Sequence, residues 1–281
     1  MPQSAFDHSL KRVRGSDLPY SDGIPMESDW HVSAMSLLID ILRHHTRERG
    51  DIYIAGDMFV YFDPNQVKTR NFRGPDFFVV KGVASAHMRN SWVVWEENGL
   101  TPDFVIELAS PSTEGFDRTE KKAIYEQVLK TPEYLIYDPS SERLRGWRLL
   151  GGAYQALTPN RAGQLWSEEL QLWVGLDEYR FSAGYDLVKV PRFYDANGRV
   201  LPTPAEAEAA ARRAEAKRAD AQAKRADAET KRADAEAKRA DTEAKRADTE
   251  AKRADAEAAA RRLVEEELAR IKQGYRDDDD G

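Results

Sequence analysis

The chain has 281 residues, no cysteine and a formal net charge of −7, which excludes disulfides, zinc–thiolate sites and cysteine nucleophiles and suits a reducing cytoplasm. Residues 1–204 hold every tryptophan (23 basic against 28 acidic side chains), whereas 205–281 are mostly Ala, Lys, Arg, Asp and Glu (19 against 21). Neither part is basic, so tight nonspecific nucleic-acid binding by bulk charge is not indicated, although a local basic groove is compatible with these totals.

Residues 1–20 read as an irregular polar lead-in, with no apolar run for a signal peptide up to Asp17. No stretch approaches membrane-spanning length, so a soluble protein with no membrane partner is expected. A globular domain is expected over 21–200. Its first helix runs from Asp29 or Trp30 to about Arg49, on the helical spacing of Met35, Leu38, Ile39 and Leu42, and Gly50 ends it. Strands are expected at Ile52–Phe62, Phe77–Lys81, Trp92–Trp95, Phe104–Ala109, Glu133–Tyr137, Leu144–Leu150 and Ala153–Leu157. Asp117-x-x-Glu120 resembles a capping box opening a helix to about Leu129, and Gly151-Gly152 reads as a hairpin turn. Short strands continue to about Tyr194. This order predicts a mixed α/β fold built on one sheet flanked by helices.

Pro202-Thr203-Pro204 marks a boundary, and a heptad region is expected over 205–273, followed by an acidic tail at 274–281. Lys-Arg-Ala-Asp-(Ala/Thr)-(Glu/Gln)-(Ala/Thr) recurs six times from Lys217, the composition and period of one long helix. Ala219, Ala223, Ala226, Thr230 and Ala233 form the 4,3-spaced seam of a coiled coil, which suggests a homo-oligomer. The seam is nearly all alanine and buries little per heptad; a solitary charged helix is the alternative. Leu263, Val264, Leu268 and Ile271 supply larger apolar groups near the end.

The chemistry concentrates in the middle of the chain. Asp76, in Gly74-Pro75-Asp76-Phe77-Phe78, and Glu107, in Phe104-Val105-Ile106-Glu107-Leu108, sit in runs with the composition of buried strands. Ionised groups are costly to bury without compensation. Two such acids with Lys121 nearby could share a divalent metal, Mg²⁺ or Mn²⁺, and the carbonyl of Leu108 could add a ligand. That combination suits phosphodiester hydrolysis. A literal PD…(D/E)xK match exists at Pro102-Asp103 and Glu120-Lys121-Lys122, but Glu120 falls in a helix's first turn, where the pattern needs a strand. With Asp76 and Glu107 as the acids, the usual lysine position is filled by Ala109, so the charge must come from elsewhere. Lys121 lies on a helical stripe with Tyr125 and Val128, the expected inward face. Lys122 can pair with Glu126 at i,i+4. Asp103 shares the sheet face of Glu107 but lies roughly 13 Å away along the strand; it reads as a strand-entry residue with at most a supporting role. His31, His44 and His45 lack metal-ligand spacing and read as residues of a surface helix. His87 reads as a loop residue, and Ser110–Thr113 as a turn.

These segments resemble the Uma-type restriction endonucleases, a PD-(D/E)XK branch greatly expanded in cyanobacteria and similar bacteria. The resemblance covers about residues 19–204. It includes Glu27-Ser28-Asp29-Trp30-His31, Gly56–Tyr61, Arg73–Val80, Trp92–Glu97, Pro102–Thr113, Asp117-Arg118 with Lys121-Lys122 and Tyr125, and Leu144–Leu149. It implies a restriction-endonuclease-like core, the family's acids on Asp76 and Glu107, and its displaced lysine on Lys121. The expected activity is metal-dependent cleavage of nucleic acid, DNA foremost, with Tyr125 supporting Lys121. Two other readings stand beside it: a noncatalytic binding module on a nuclease fold, and a scaffold working mainly through its coiled coil.

Overall fold

The computed structural model describes Arg14, Leu18 and residues 28–63, 74–84, 87–109 and 120–277, with side chains of the last helix to residue 270. The Ser110–Thr113 turn, Asp117 of the expected capping box, and nearly all of the lead-in lie outside the described residues.

Helix α1 (Asp29–His45) starts on Ser28, whose hydroxyl accepts the His31 N–H, and stops earlier than expected at Thr46, whose N–H and hydroxyl both donate to the Leu42 carbonyl. Strands β1 (Ile52–Ala55), β3 (Phe77–Lys81), β5 (Phe104–Leu108), β6 (Glu133–Asp138), β7 (Arg143–Leu150) and β8 (Ala153–Ala156) form one sheet in the order β1-β3-β5-β6-β7-β8. Only β5 and β6 run parallel in it, so the chain between them must cross over, and helix α2, π-wound over Ile124–Val128, lies on that crossover. The strand expected over Ile52–Phe62 is two strands. Gly56-Asp57 turns the chain, with Asp57 in the left-handed region at φ 47, and β2 (Val60–Tyr61) leaves the main sheet to pair with β4 (Trp92–Val93). The β7–β8 hairpin does turn on Gly151-Gly152, both at positive φ. Strands β9 (Leu165–Ser167), β10 (Leu172–Tyr179) and β11 (Val188–Tyr194) form a second, antiparallel sheet.

The central strands are buried on both faces, and side-chain alternation divides them between two cores. Phe77, Val79, Phe104, Ile106 and Leu108 face α1 and the second sheet; Phe78, Val80, Val105 and Ala109 face Tyr125 and Leu129 of the α2 region. Glu107 alternates with the second set. An acid on β5 is thereby delivered into the layer beneath α2.

The described residues fall into two compact units, up to Glu208 and from Ala209 onward. Helix α3 (Pro204–Asp277) begins in the first: Thr203 and Glu206 form a reciprocal capping box with Pro204 at the first helical position. It is continuous, as the heptads require. Its described side chains from 208 to 270 are exposed, and lysines reach back to aspartates one turn earlier, as in Lys224–Asp220 at 2.9 Å. No described helix is long and apolar enough to cross a membrane.

Candidate active site

Asp76 stands at the entry to β3, and its two oxygens accept from two different elements. The ring Nε2 of His31, on α1, lies 3.0 Å from Oδ1, and the Leu108 N–H, on β5, lies 2.7 Å from Oδ2. Glu107, one residue before Leu108 and 2% exposed, receives Lys121 Nζ on Oε2 and the Tyr125 hydroxyl on Oε1, each at 3.0 Å. The structure therefore brings Asp76, Glu107, Lys121 and Tyr125 together at the ends of β3 and β5.

The π turn explains why Leu129, and not Val128, continues the inward face that Lys121 and Tyr125 present to Glu107. Leu129 N–H bonds to the Ile124 carbonyl, five residues back, so each turn takes more residues than an α-helical one. Lys121, Tyr125 and Leu129 consequently share the inward face. Val128, expected there from α-helical spacing, points outward at 55% exposure. Lys122 departs from expectation as well. Its ammonium sits 4.7 Å from the centre of the Trp147 ring, and Glu126 accepts the Tyr154 N–H instead of pairing with it.

Asp103 belongs to the opposite end of β5. Its carboxylate accepts the Lys81 N–H at 2.7 Å and tethers the end of β3, which makes it a structural strand-entry group. His87 lies in a loop, as expected, and is exposed. His31 corrects the surface-helix reading: it is 9% exposed and touches Asp76. The signal was present in the sequence, because His31 precedes Met35, Leu38 and Leu42 on the same inward stripe.

The two acids are driven apart electrostatically. Burial alone would raise Asp76, but His31, Lys121 and the Leu108 N–H outweigh it and hold the carboxyl below its ordinary value. Burial pushes Glu107 up to about 8, with the charge on Asp76 adding to the rise and Lys121 and Tyr125 only partly opposing it. Burial also keeps Tyr125 a neutral phenol, well above its usual range. The site thus favours the charged form of Asp76 and the neutral form of Glu107. Among the described residues, no three His, Asp or Glu side chains converge on a point that could hold an ion. A cation here would take carboxylate and backbone oxygens.

A mixed sheet with a buried acid pair and a helix-borne lysine at one end of its central strands is the arrangement expected of a restriction-endonuclease-like core. Residues 7–178 match the model of the Uma2 family, described as "Putative restriction endonuclease", and the chain belongs to that family. Five chains among solved structures match it. One, described as a putative nuclease belonging to DUF820 from Anabaena variabilis, is similar at 14% identity and a TM-score of 0.40, over 54% of this chain and 81% of that one. No curated protein matches the chain.

Proposed function

We propose that this chain is a Mg²⁺- or Mn²⁺-dependent endonuclease that hydrolyses phosphodiester bonds, with DNA as the expected substrate and the cytoplasm as the expected setting. The observation that carries the reading is Glu107, buried between the Lys121 ammonium and the Tyr125 hydroxyl and within the field of Asp76. The donor set fits a hard cation. With Glu107 ionised, each of the four carboxylate oxygens would accept one hydrogen bond among the described residues and keep a lone pair for the ion. The Leu108 N–H points toward Asp76, and in a strand the carbonyl of a residue faces the same side as its N–H. Asp76 and Glu107 would therefore hold it, and the Leu108 carbonyl could add a ligand. The chemistry such a cation supplies is acidification of water and neutralisation of charge on the phosphate.

The remaining steps fall to the protein. In its ionised form Glu107 would be the second negative group to hold such a cation, beside Asp76. Lys121 then donates to the attacking water or to a phosphate oxygen, placing positive charge where the transition state gathers negative charge. Tyr125, a neutral phenol, donates to the ionised Glu107 through Oε1 and keeps it turned toward Lys121. Replacing Lys121 by methionine should leave Mn²⁺ binding in place and lower the cleavage rate by about 10²-fold or more; equal loss of binding and cleavage would make Lys121 structural.

The test is incubation of the purified chain with supercoiled DNA, single-stranded DNA and RNA in Mg²⁺, Mn²⁺ or EDTA. Cleavage in either metal, abolished by EDTA, is expected. Binding of nucleic acid without cleavage under any condition would establish the noncatalytic module instead.

The reading extends to the tail as a pairing device that places two sites in one particle, suited to cutting both strands of a duplex. The aspartates beside the alanine seam are tied to lysines of their own helix, as in Lys231–Asp227 and Lys245–Asp241 at 2.8 Å, which lowers the repulsion two adjacent seams would meet. Sedimentation should show a dimer or larger species at tens of micromolar. A monomer at high micromolar concentration would make the helix a solitary spacer.

A further inference from the structure

Asp76 is held more firmly than a metal-binding carboxylate needs to be for charge alone. A carboxylate fixed by one donor still turns about its last torsion, whereas donors on both oxygens fix its plane. The second donor here is a backbone group of β5 and cannot be varied; the first is a side chain, His31 Nε2 at 3.0 Å. Because an ionised carboxylate only accepts, Nε2 carries the hydrogen in this contact. The ring is itself located. The His31 N–H is capped by Ser28, its ring meets Trp30 edge-on at 6.4 Å between centroids, and its stripe partners Met35, Leu38 and Leu42 are buried against the sheet that carries Phe77 and Val79. The docking of α1 on the sheet is thus transmitted through one ring to one oxygen of Asp76.

We infer that His31 is a positioning residue: it orients Asp76 for divalent-cation binding through the Nε2–Oδ1 hydrogen bond, without itself contacting the cation or the substrate. The inference rests on the metal-dependent reading of the site. Groups that orient a ligand in this way change metal affinity about 10–100-fold when removed. The part of the side chain that matters is a single N–H at the position of Nε2. An amide nitrogen at the end of a glutamine side chain can occupy that place; a leucine fills similar volume and donates nothing.

The experiment measures Mn²⁺ binding at fixed pH by the electron paramagnetic resonance signal of the free ion, and the Mn²⁺-dependent rise in melting temperature. The full chain is compared with His31→Leu, His31→Gln and Glu107→Gln. His31→Leu should bind Mn²⁺ about 10–100-fold more weakly, while melting without metal shows that it is folded. His31→Gln should recover most of the wild-type affinity. Wild-type affinity in His31→Leu would overturn the inference. Binding as weak in His31→Gln as in His31→Leu would also overturn it, because the ring nitrogen would then be acting as a ligand. In both cases the metal reading stands, since the wild type binds and Glu107→Gln does not. Absence of Mn²⁺ binding by the wild type would overturn that reading and this inference with it.

Discussion

Glu107→Gln should abolish metal-dependent cleavage while leaving the protein folded. Glutamine keeps the shape of the side chain, and its carbonyl oxygen can still accept from Tyr125 or Lys121. It loses the charge that a hard cation requires. Ligand loss of this kind removes several kcal/mol of transition-state stabilisation, about 10³-fold in rate at ~1.36 kcal/mol per decade. A second readout separates this from unfolding. Glu107 is raised from an ordinary 4.5 to about 8, so between those values the folded state binds a proton that the unfolded state releases. That contribution is fully present below pH ~4.5 and is lost as pH climbs through about 8, so the metal-free wild type should become less stable across this window. Glutamine cannot titrate and should flatten that slope. Mn²⁺ should raise the wild-type melting temperature most at the alkaline end and do little for the variant. Cleavage at the wild-type rate by Glu107→Gln would place the activity elsewhere, and a shared pH slope in both proteins would show that another group controls it.

What the sequence could and could not reveal follows from the range of each interaction. The alternation in Phe104–Leu108 is local, and it correctly assigns Glu107 to the face shared with Val105 and Ala109, because a strand's period leaves no other choice once its neighbours are apolar. That the positive charge beside Glu107 comes from Lys121 of α2 is legible for the same reason: Ala109 occupies the inward position and cannot supply charge. The inward place of Leu129 is not legible, since α-helical and π-helical windings of 120–129 have the same composition and only packing against β5 and β6 selects between them. The cation–π seat of Lys122 depends on Trp147 and Tyr154, more than twenty residues away, and the helix-local alternative with Glu126 looked equally good from spacing. His31 is an intermediate case. Its stripe was visible, but a histidine among apolar residues does not announce its partner, and Asp76 lies forty-five residues further on. The buried Glu133 shows how an acid can look equally functional and serve structure instead: Arg148 and the Glu168 N–H donate to one of its oxygens and the Ser167 hydroxyl to the other, which joins the two sheets.

Gly56→Ala should damage stability and site together, because the Gly56-Asp57 turn is built against the backbone of Asp76. A Cβ at Gly56 would lie 2.2 Å from the Asp76 carbonyl oxygen and 2.9 Å from Cγ and Sδ of Met35. The methionine can move aside, being unbranched and flexible. The carbonyl cannot do so alone, since Asp57 N–H holds the adjoining Pro75 carbonyl at 3.1 Å and β3 begins at the next residue, Phe77. Relief therefore comes from lifting the turn or shifting Asp76, and overpacking of this kind costs about 1–3 kcal/mol or more. Melting should fall by several degrees, at roughly 2–4 °C per kcal/mol for a unit of this size. Cleavage measured well below the melting point should fall further than the folded fraction does, because a ~1 Å misplacement of a catalytic group costs about 10²-fold. Gly50→Ala is the control: a Cβ there meets nothing within 4 Å, so melting and cleavage should both stay at wild-type values. A Gly56→Ala protein with wild-type melting and wild-type cleavage would show that the turn yields without moving Asp76, and that the site is not positioned through this contact.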